Sequence, residues 1–149
     1  RLQRLSKHSG RVILEITERS SIYGVSAWEQ SLEVIRGLGL EIAVDDLGAG
    51  YSALAILAEL KPRFIKLDMS IVRDADRLQH KQRLIDLLCR FADATEALLV
   101  AEGIETEAEA ATVRECGAHL LQGYLIGRPR LPAHLRIVAR EADGQRDAG

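Results

Sequence analysis

The segment Ala43-Val44-Asp45-Asp46-Leu47-Gly48-Ala49-Gly50-Tyr51 runs from β-forming residues into two adjacent carboxylates and then into a loop with two glycines. Two acids side by side repel and lose hydration, a cost that a cation between them offsets. A solvated Asp-Asp turn capping a helix is the competing reading of the same residues. Whether other strands end in polar residues in the same way separates the two.

Outward from this segment, strands and helices alternate. Arg11–Thr17 is β-rich and carries Glu15 inside an apolar run, where a carboxylate needs a partner or a ligand role. Ser26-Ala27-Trp28-Glu29 has the form of a capping box and predicts a helix start. Trp28, Leu32, Ile35 and Leu38 supply its apolar face, and Gly37 and Gly39 its stop. Glu41–Val44 is the next strand, ending in the Asp pair. A helix over Ser52–Leu60 and a strand over Arg63–Leu67 follow, with Lys66 mid-strand, either at an edge or functional. The longest helix spans Leu78–Ala94. Leu84, Leu87, Leu88 and Phe91 recur at helical spacing, and Lys81, Arg83, Asp86 and Arg90 read as a solvated face.

Ala97–Ala101 is near-continuously apolar, as in a strand buried on both faces. Thr106–Glu109 is a second capping box, opening a helix that runs to Cys116 before Gly117. Ala118–Leu121 is another strand and Ala133–Arg140 a last helix. Residues 141–149 form a polar tail, expected to be disordered. Strictly alternating strands and helices predict an α/β fold with a parallel sheet and crossover helices.

A chain of 149 residues holds one domain, read here as residues 1–140. A net charge of −2 speaks against a DNA or membrane-surface binder, and no apolar run reaches the length of a membrane span. Cys89 and Cys116 lie far apart outside any C-x-x-C pattern, as expected of free thiols in a cytoplasmic protein. His8, His80, His119 and His134 form no zinc-binding spacing, so any metal would be held by oxygen.

Parallel sheets carry their chemistry at the C-terminal ends of the strands. In this chain those positions hold Glu15, Asp45, Asp46, Lys66, Glu102 and Gln122. If the strands are neighbours, four carboxylates, an amide and an ammonium converge. Hard oxygen donors suit Mg²⁺ or Mn²⁺, and paired ions of this kind cleave phosphodiesters. Lys66 then orients water or offsets charge. A Schiff-base lysine is the competing chemistry, disfavoured by so many acids around it.

Five segments together resemble a known family. Leu14-Glu15-Ile16-Thr17-Glu18, Asp45-Asp46-Leu47-Gly48-Ala49-Gly50-Tyr51-Ser52, Ile65-Lys66-Leu67-Asp68, Ala101-Glu102-Gly103-Ile104-Glu105-Thr106 and Gln122-Gly123-Tyr124-Leu125-Ile126-Gly127-Arg128-Pro129 are similar to the successive motifs of EAL-domain cyclic di-GMP phosphodiesterases. The resemblance implies a TIM-like (β/α)8 barrel with an antiparallel first strand. It implies hydrolysis of cyclic di-GMP to linear pGpG with two Mg²⁺ or Mn²⁺ ions. By position it implies that Glu15, Asp45, Asp46, Glu102 and Gln122 are ligands of the metals or their waters, with Asp45 bridging. Lys66 would hold a catalytic water. Glu105 would steady the Asp46–Tyr51 loop, which couples the site to dimerisation. A homodimer and fused sensor or diguanylate cyclase domains are the partners implied.

Leu47 and Ile126 stand where the family usually has Phe. The family's Glu-Ala-Leu-x-Arg segment and its asparagine-bearing strand are not in these 149 residues and are expected upstream of Arg1. A complete barrel takes about 250 residues, so the chain reads as the last five strands, with open edges. The isolated chain is expected to be inactive or nearly so. A degenerate module that binds nucleotide or protein without turnover is the alternative.

Overall fold

The computed structural model describes residues 12–17, 25–49 and 53–129. The elements are β1 (Ile13–Thr17), α1 (Val25–Gly37), β2 (Glu41–Leu47), α2 (Ala53–Leu60), β3 (Phe64–Leu67), α3 (Met69–Val72), α4 (Gln79–Ala94), β4 (Leu98–Ala101), α5 (Glu107–Glu115) and β5 (Leu120–Leu121). The strands form one sheet in the order β1-β2-β3-β4-β5, and each neighbouring pair is parallel. Among the described residues β1 and β5 are its edges. The expected α/β alternation is therefore present, and sequential strands lie side by side.

Strand alternation sorts the side chains onto two faces. Ile42, Val44, Ile65, Leu67, Leu99 and Ala101 point toward the helices. They pack with Leu32 and Ile35 of α1, Leu57 and Leu60 of α2, Ile85, Leu88, Cys89 and Ala92 of α4, and Ala110 and Val113 of α5. A fully buried aliphatic side chain of this kind contributes about 2 kcal/mol. The opposite face carries Ile13, Ala43, Phe64, Val100 and Leu120 as an apolar floor, with Glu15, Lys66 and Gln122 above it, around a cavity of about 310 Å³.

The elements differ from expectation in five places. β2 does not stop at Val44 but continues through the Asp pair to Leu47. α1 already includes Val25, so Ser26 lies inside the helix rather than capping it. The strand expected over Ala118–Leu121 narrows to Leu120–Leu121. α3 is a single turn, too short to leave a period in the sequence. The buried stripe of α4 is Ile85, Leu88, Cys89 and Ala92, whereas Leu84 is exposed and Leu87 is 63% exposed. Leu84, Ile85, Leu87 and Leu88 make an apolar arc wider than one stripe, and the sheet selects its phase. The expected capping box on α5 is formed in both directions between Thr106 and Glu109. The last expected helix and the polar tail lie outside the described residues.

Candidate active site

The central feature is the Lys66 ammonium on β3. Its Nζ lies 2.7 Å from Asp45 Oδ1 on β2, 3.1 Å from Glu15 Oε1 on β1, and 3.0 Å from Glu102 Oε1 just past β4. Parallel register brings these groups together. Glu15 pairs with Ala43, Ala43 with Phe64, and Lys66 with Val100, so Glu15 stands two residues below the level of Asp45 and Lys66, and Glu102 two residues above it, all within reach of the long Lys66 side chain. Lys66 thus sits in the middle of the sheet, its side chain 14% exposed, which removes the edge-exposed reading.

Asp45 and Asp46 reach one site because β2 is irregular there. Consecutive strand residues point to opposite faces. Between Val44 and Leu47, however, the β2 register shifts against β3, from Val44–Ile65 to Leu47–Leu67. One extra residue is accommodated, as in a bulge, and Asp46 takes φ +56. An oxygen from each of Asp45, Asp46 and Glu102 then lies within 4.8 Å of the others.

Burial lowers the proton affinity of the Lys66 ammonium, but Asp45, Glu102 and Glu15 outweigh it and hold the group protonated well above the ordinary lysine range. Burial pushes the Glu102 carboxyl up. Lys66 pulls it partly back, and the neighbouring Asp45 and Asp46 charges add to the rise. Glu102 Oε1 is buried and touches Lys66 as an ion pair without an aligned hydrogen-bond donor. Three crowded carboxylates, one with an orphaned buried oxygen, fit a divalent cation. Oxygen ligands of one such ion stand about 4–5 Å apart across it.

Gln122 lies at the boundary of two cavities. One is the space over the apolar floor, and the other, also about 310 Å³, is lined by Asp46, Asp68, Glu102, Glu105 and Tyr124 among others. Gly123 lets it sit there, since a Cβ at that position would overlap the Ile104 backbone. Glu105 borders the same cavity and pairs with Arg73, at the turn after α3, at 2.6 Å. Tyr51, the far end of the loop it was expected to steady, lies outside the described residues. Asp68 and Arg73 were not among the expected site residues. Asp68 caps α3 by accepting from Ser70 N–H at 2.9 Å. Its signal in the sequence is an Asp directly after a strand, a residue type that favours the N-cap position. No pattern marks Arg73.

Together, fold and site define a class: a parallel β/α protein whose strand ends gather hard oxygen donors around one ammonium. The chain belongs to the EAL domain family, whose model matches residues 1–129. It is 36% identical over 116 residues to the cyclic di-GMP phosphodiesterase NbdA of Pseudomonas aeruginosa, covering 78% of this chain and 15% of that protein. It is 32% identical over 132 residues to the bifunctional diguanylate cyclase/cyclic di-GMP phosphodiesterase MucR of the same organism, covering 89% of this chain and 19% of that protein. Among solved structures, the manganese/cyclic di-GMP complex of Klebsiella pneumoniae BlrP1 superposes with a TM-score of 0.75 at 36% identity, covering 79% of this chain and 30% of that one. The five-stranded sheet is accordingly part of a TIM-like barrel, and the chain spans less than a fifth of the length of these two relatives. Among the described residues no helix is long and apolar enough to cross a membrane.

Proposed function

We propose that this chain carries the acidic half of a metal-dependent phosphodiesterase site that hydrolyses cyclic di-GMP to linear pGpG when the barrel is complete. The observation that carries the reading is the convergence of Glu15, Asp45 and Glu102, from three separate strands, on Lys66 Nζ. Four carboxylates against one ammonium would repel a phosphodiester anion unless cations stand between them. Asp45, Asp46, Glu102, Glu15 and Gln122 are the residues that would hold two Mg²⁺ or Mn²⁺ ions, with Asp45 central among the acids. When bound, such ions supply Lewis acidity to the phosphate and to the attacking water.

Lys66 acts as a donor rather than a base, because its carboxylate neighbours hold it charged. Its ammonium keeps three carboxylates together, hydrogen-bonded to Asp45 and ion-paired with Glu15 and Glu102, and an N–H not committed to Asp45 is positioned to orient water at Nζ. Glu105, through Arg73, steadies the cavity wall beside Glu102. A homodimer, attached sensor or diguanylate cyclase domains, and a cytoplasmic setting complete the reading. The bifunctional nature of MucR and the free thiols Cys89 and Cys116 support it. Burial pushes the Cys89 thiol up to about 12, so it is inert in the core.

Calorimetric titration of the chain with Mn²⁺ tests the metal site. Saturable binding is expected, weakened roughly 100-fold in Asp45→Asn. No saturable binding overturns the reading. Chromatography of cyclic di-GMP incubated with Mn²⁺ and a complete barrel containing this chain tests turnover. Nucleotide binding without pGpG would favour the degenerate-module reading.

A further inference from the structure

α3 is the seat shared by the two loops that carry the acids. Asp68 N–H, at its start, donates to Leu47 O at 3.1 Å, tying it to the end of β2. Gly48, at φ +108, lies so close to Ile71 that a Cβ would overlap the Ile71 side chain. Gly103, at φ +71 and directly after Glu102, would bring a Cβ to 2.5 Å from that of Met69. The Asp45–Asp46 loop and the Glu102 loop therefore rest on the same helical turn.

A single turn has too few bonds of its own to hold a position. Outside groups hold this one. Lys81 Nζ donates to Ser70 O at 2.7 Å and to Arg73 O at 2.6 Å. Glu109 reaches in from α5 and is only 5% exposed. Its Oε1 accepts from Asp74 N–H, just past α3, at 3.2 Å. Its Oε2 accepts from Glu105 N–H and Thr106 N–H, each at 3.1 Å. The capping box of α5 accounts for the bond to Thr106. It does not require the arm to Asp74.

We propose that Glu109 is a positioning residue, a two-sided carboxylate bridge that fixes the Glu102–Glu105 loop to α3. It thereby sets the distance of Glu102 from Asp45 and Asp46. The inference rests on the metal reading above. Both oxygens meet N–H donors, so a glutamine cannot replace the carboxylate, since its NH₂ would face a donor on one side.

The test uses the 149-residue chain as wild type, Glu109→Gln, and Thr106→Ala. The last loses the cap bond from Glu109 N–H to Thr106 Oγ1 but keeps the bridge. Amide hydrogen exchange at Asp74 and Glu105, thermal unfolding and Mn²⁺ affinity are measured for each. Glu109→Gln is expected to speed exchange of at least one of the two amides. It is also expected to weaken Mn²⁺ binding about 10-fold, beyond the effect of Thr106→Ala at a matched loss of Tm. Unchanged exchange at both amides overturns the bridge. Mn²⁺ affinity that tracks Tm equally in both variants overturns the positioning role. If Glu109→Gln does not fold, exchange is read in the wild-type chain alone, and rapid, unprotected exchange at Asp74 and Glu105 overturns the proposal. A wild-type chain that takes up no Mn²⁺ sinks the metal reading instead, and exchange then decides the bridge.

Discussion

At the N-terminal end of the sheet, Arg63 Nη1 donates to Glu96 O at 2.6 Å and Arg36 Nη2 to Leu60 O at 3.0 Å. Leu99 N–H donates to His119 Nδ1 at 3.1 Å, which leaves Nε2–H to donate to Asp93 at 2.9 Å. Each of these donors has its own acceptor. At the C-terminal end three carboxylates share one ammonium, a fourth stands beside them, and Glu102 keeps a buried oxygen without an aligned donor. The same backbone ladder supports both ends. Matched polar pairs at one end serve stability. Crowded like charges at the other are what a binding site for a cation retains at the expense of stability.

Removing the Lys66 ammonium from the crowded end gives the largest expected effect. Lys66→Met leaves partly buried carboxylates unpaired and should cost the metal-free chain about 3 kcal/mol, the low end for a buried pair because solvent screens Glu15. Added Mn²⁺ should recover part of this by binding the folded state. Thermal melts with Mn²⁺ and with chelator measure both. A variant as stable as wild type in chelator would erase the contrast between the two ends.

A smaller effect comes from Glu109, beneath the site. Burial pushes its carboxyl up, but the N–H groups of Glu105, Asp74 and Thr106 more than reverse this and leave it below the ordinary range. A carboxyl lowered in the fold stabilises above its unfolded pKa, about 4.3. That contribution is lost as pH falls through the lowered folded value. Glu109→Gln should therefore cost roughly 1–3 kcal/mol at pH 7, and the gap to wild type should close in acid. Urea midpoints across that range test it. A gap independent of pH would mean that the charge is not what matters.

The smallest effect is expected at the matched end. His119→Ala should cost about 1 kcal/mol and leave Mn²⁺ affinity unchanged. A fall in affinity there would show that the two ends are coupled through the strands.

Much of this contrast was legible beforehand. Glu15, Asp45, Lys66 and Glu102 were recognisable because each interrupts or ends an apolar run, and parallel strands send such residues to one end. α3 was not legible, since four residues show no period, and with it went the roles of Asp68, Arg73 and Glu109. The rotation of α4 was misread because local periodicity specifies a helix but not which of two overlapping stripes meets the sheet.

The Asp45–Asp46 pair divides the two kinds of information most clearly. By itself the sequence determined that two adjacent acids close a strand beside a glycine loop, and that other strands end likewise. It left open how neighbours on a strand, which point to opposite faces, could act together. Only the tertiary structure decided that. The shift in register against β3 and the positive φ of Asp46 turn both carboxylates to the side where Lys66 and Glu102 stand. The physical reason is that side-chain direction in a strand is set by pairing with its neighbour, and that pairing belongs to the folded sheet rather than to any one segment.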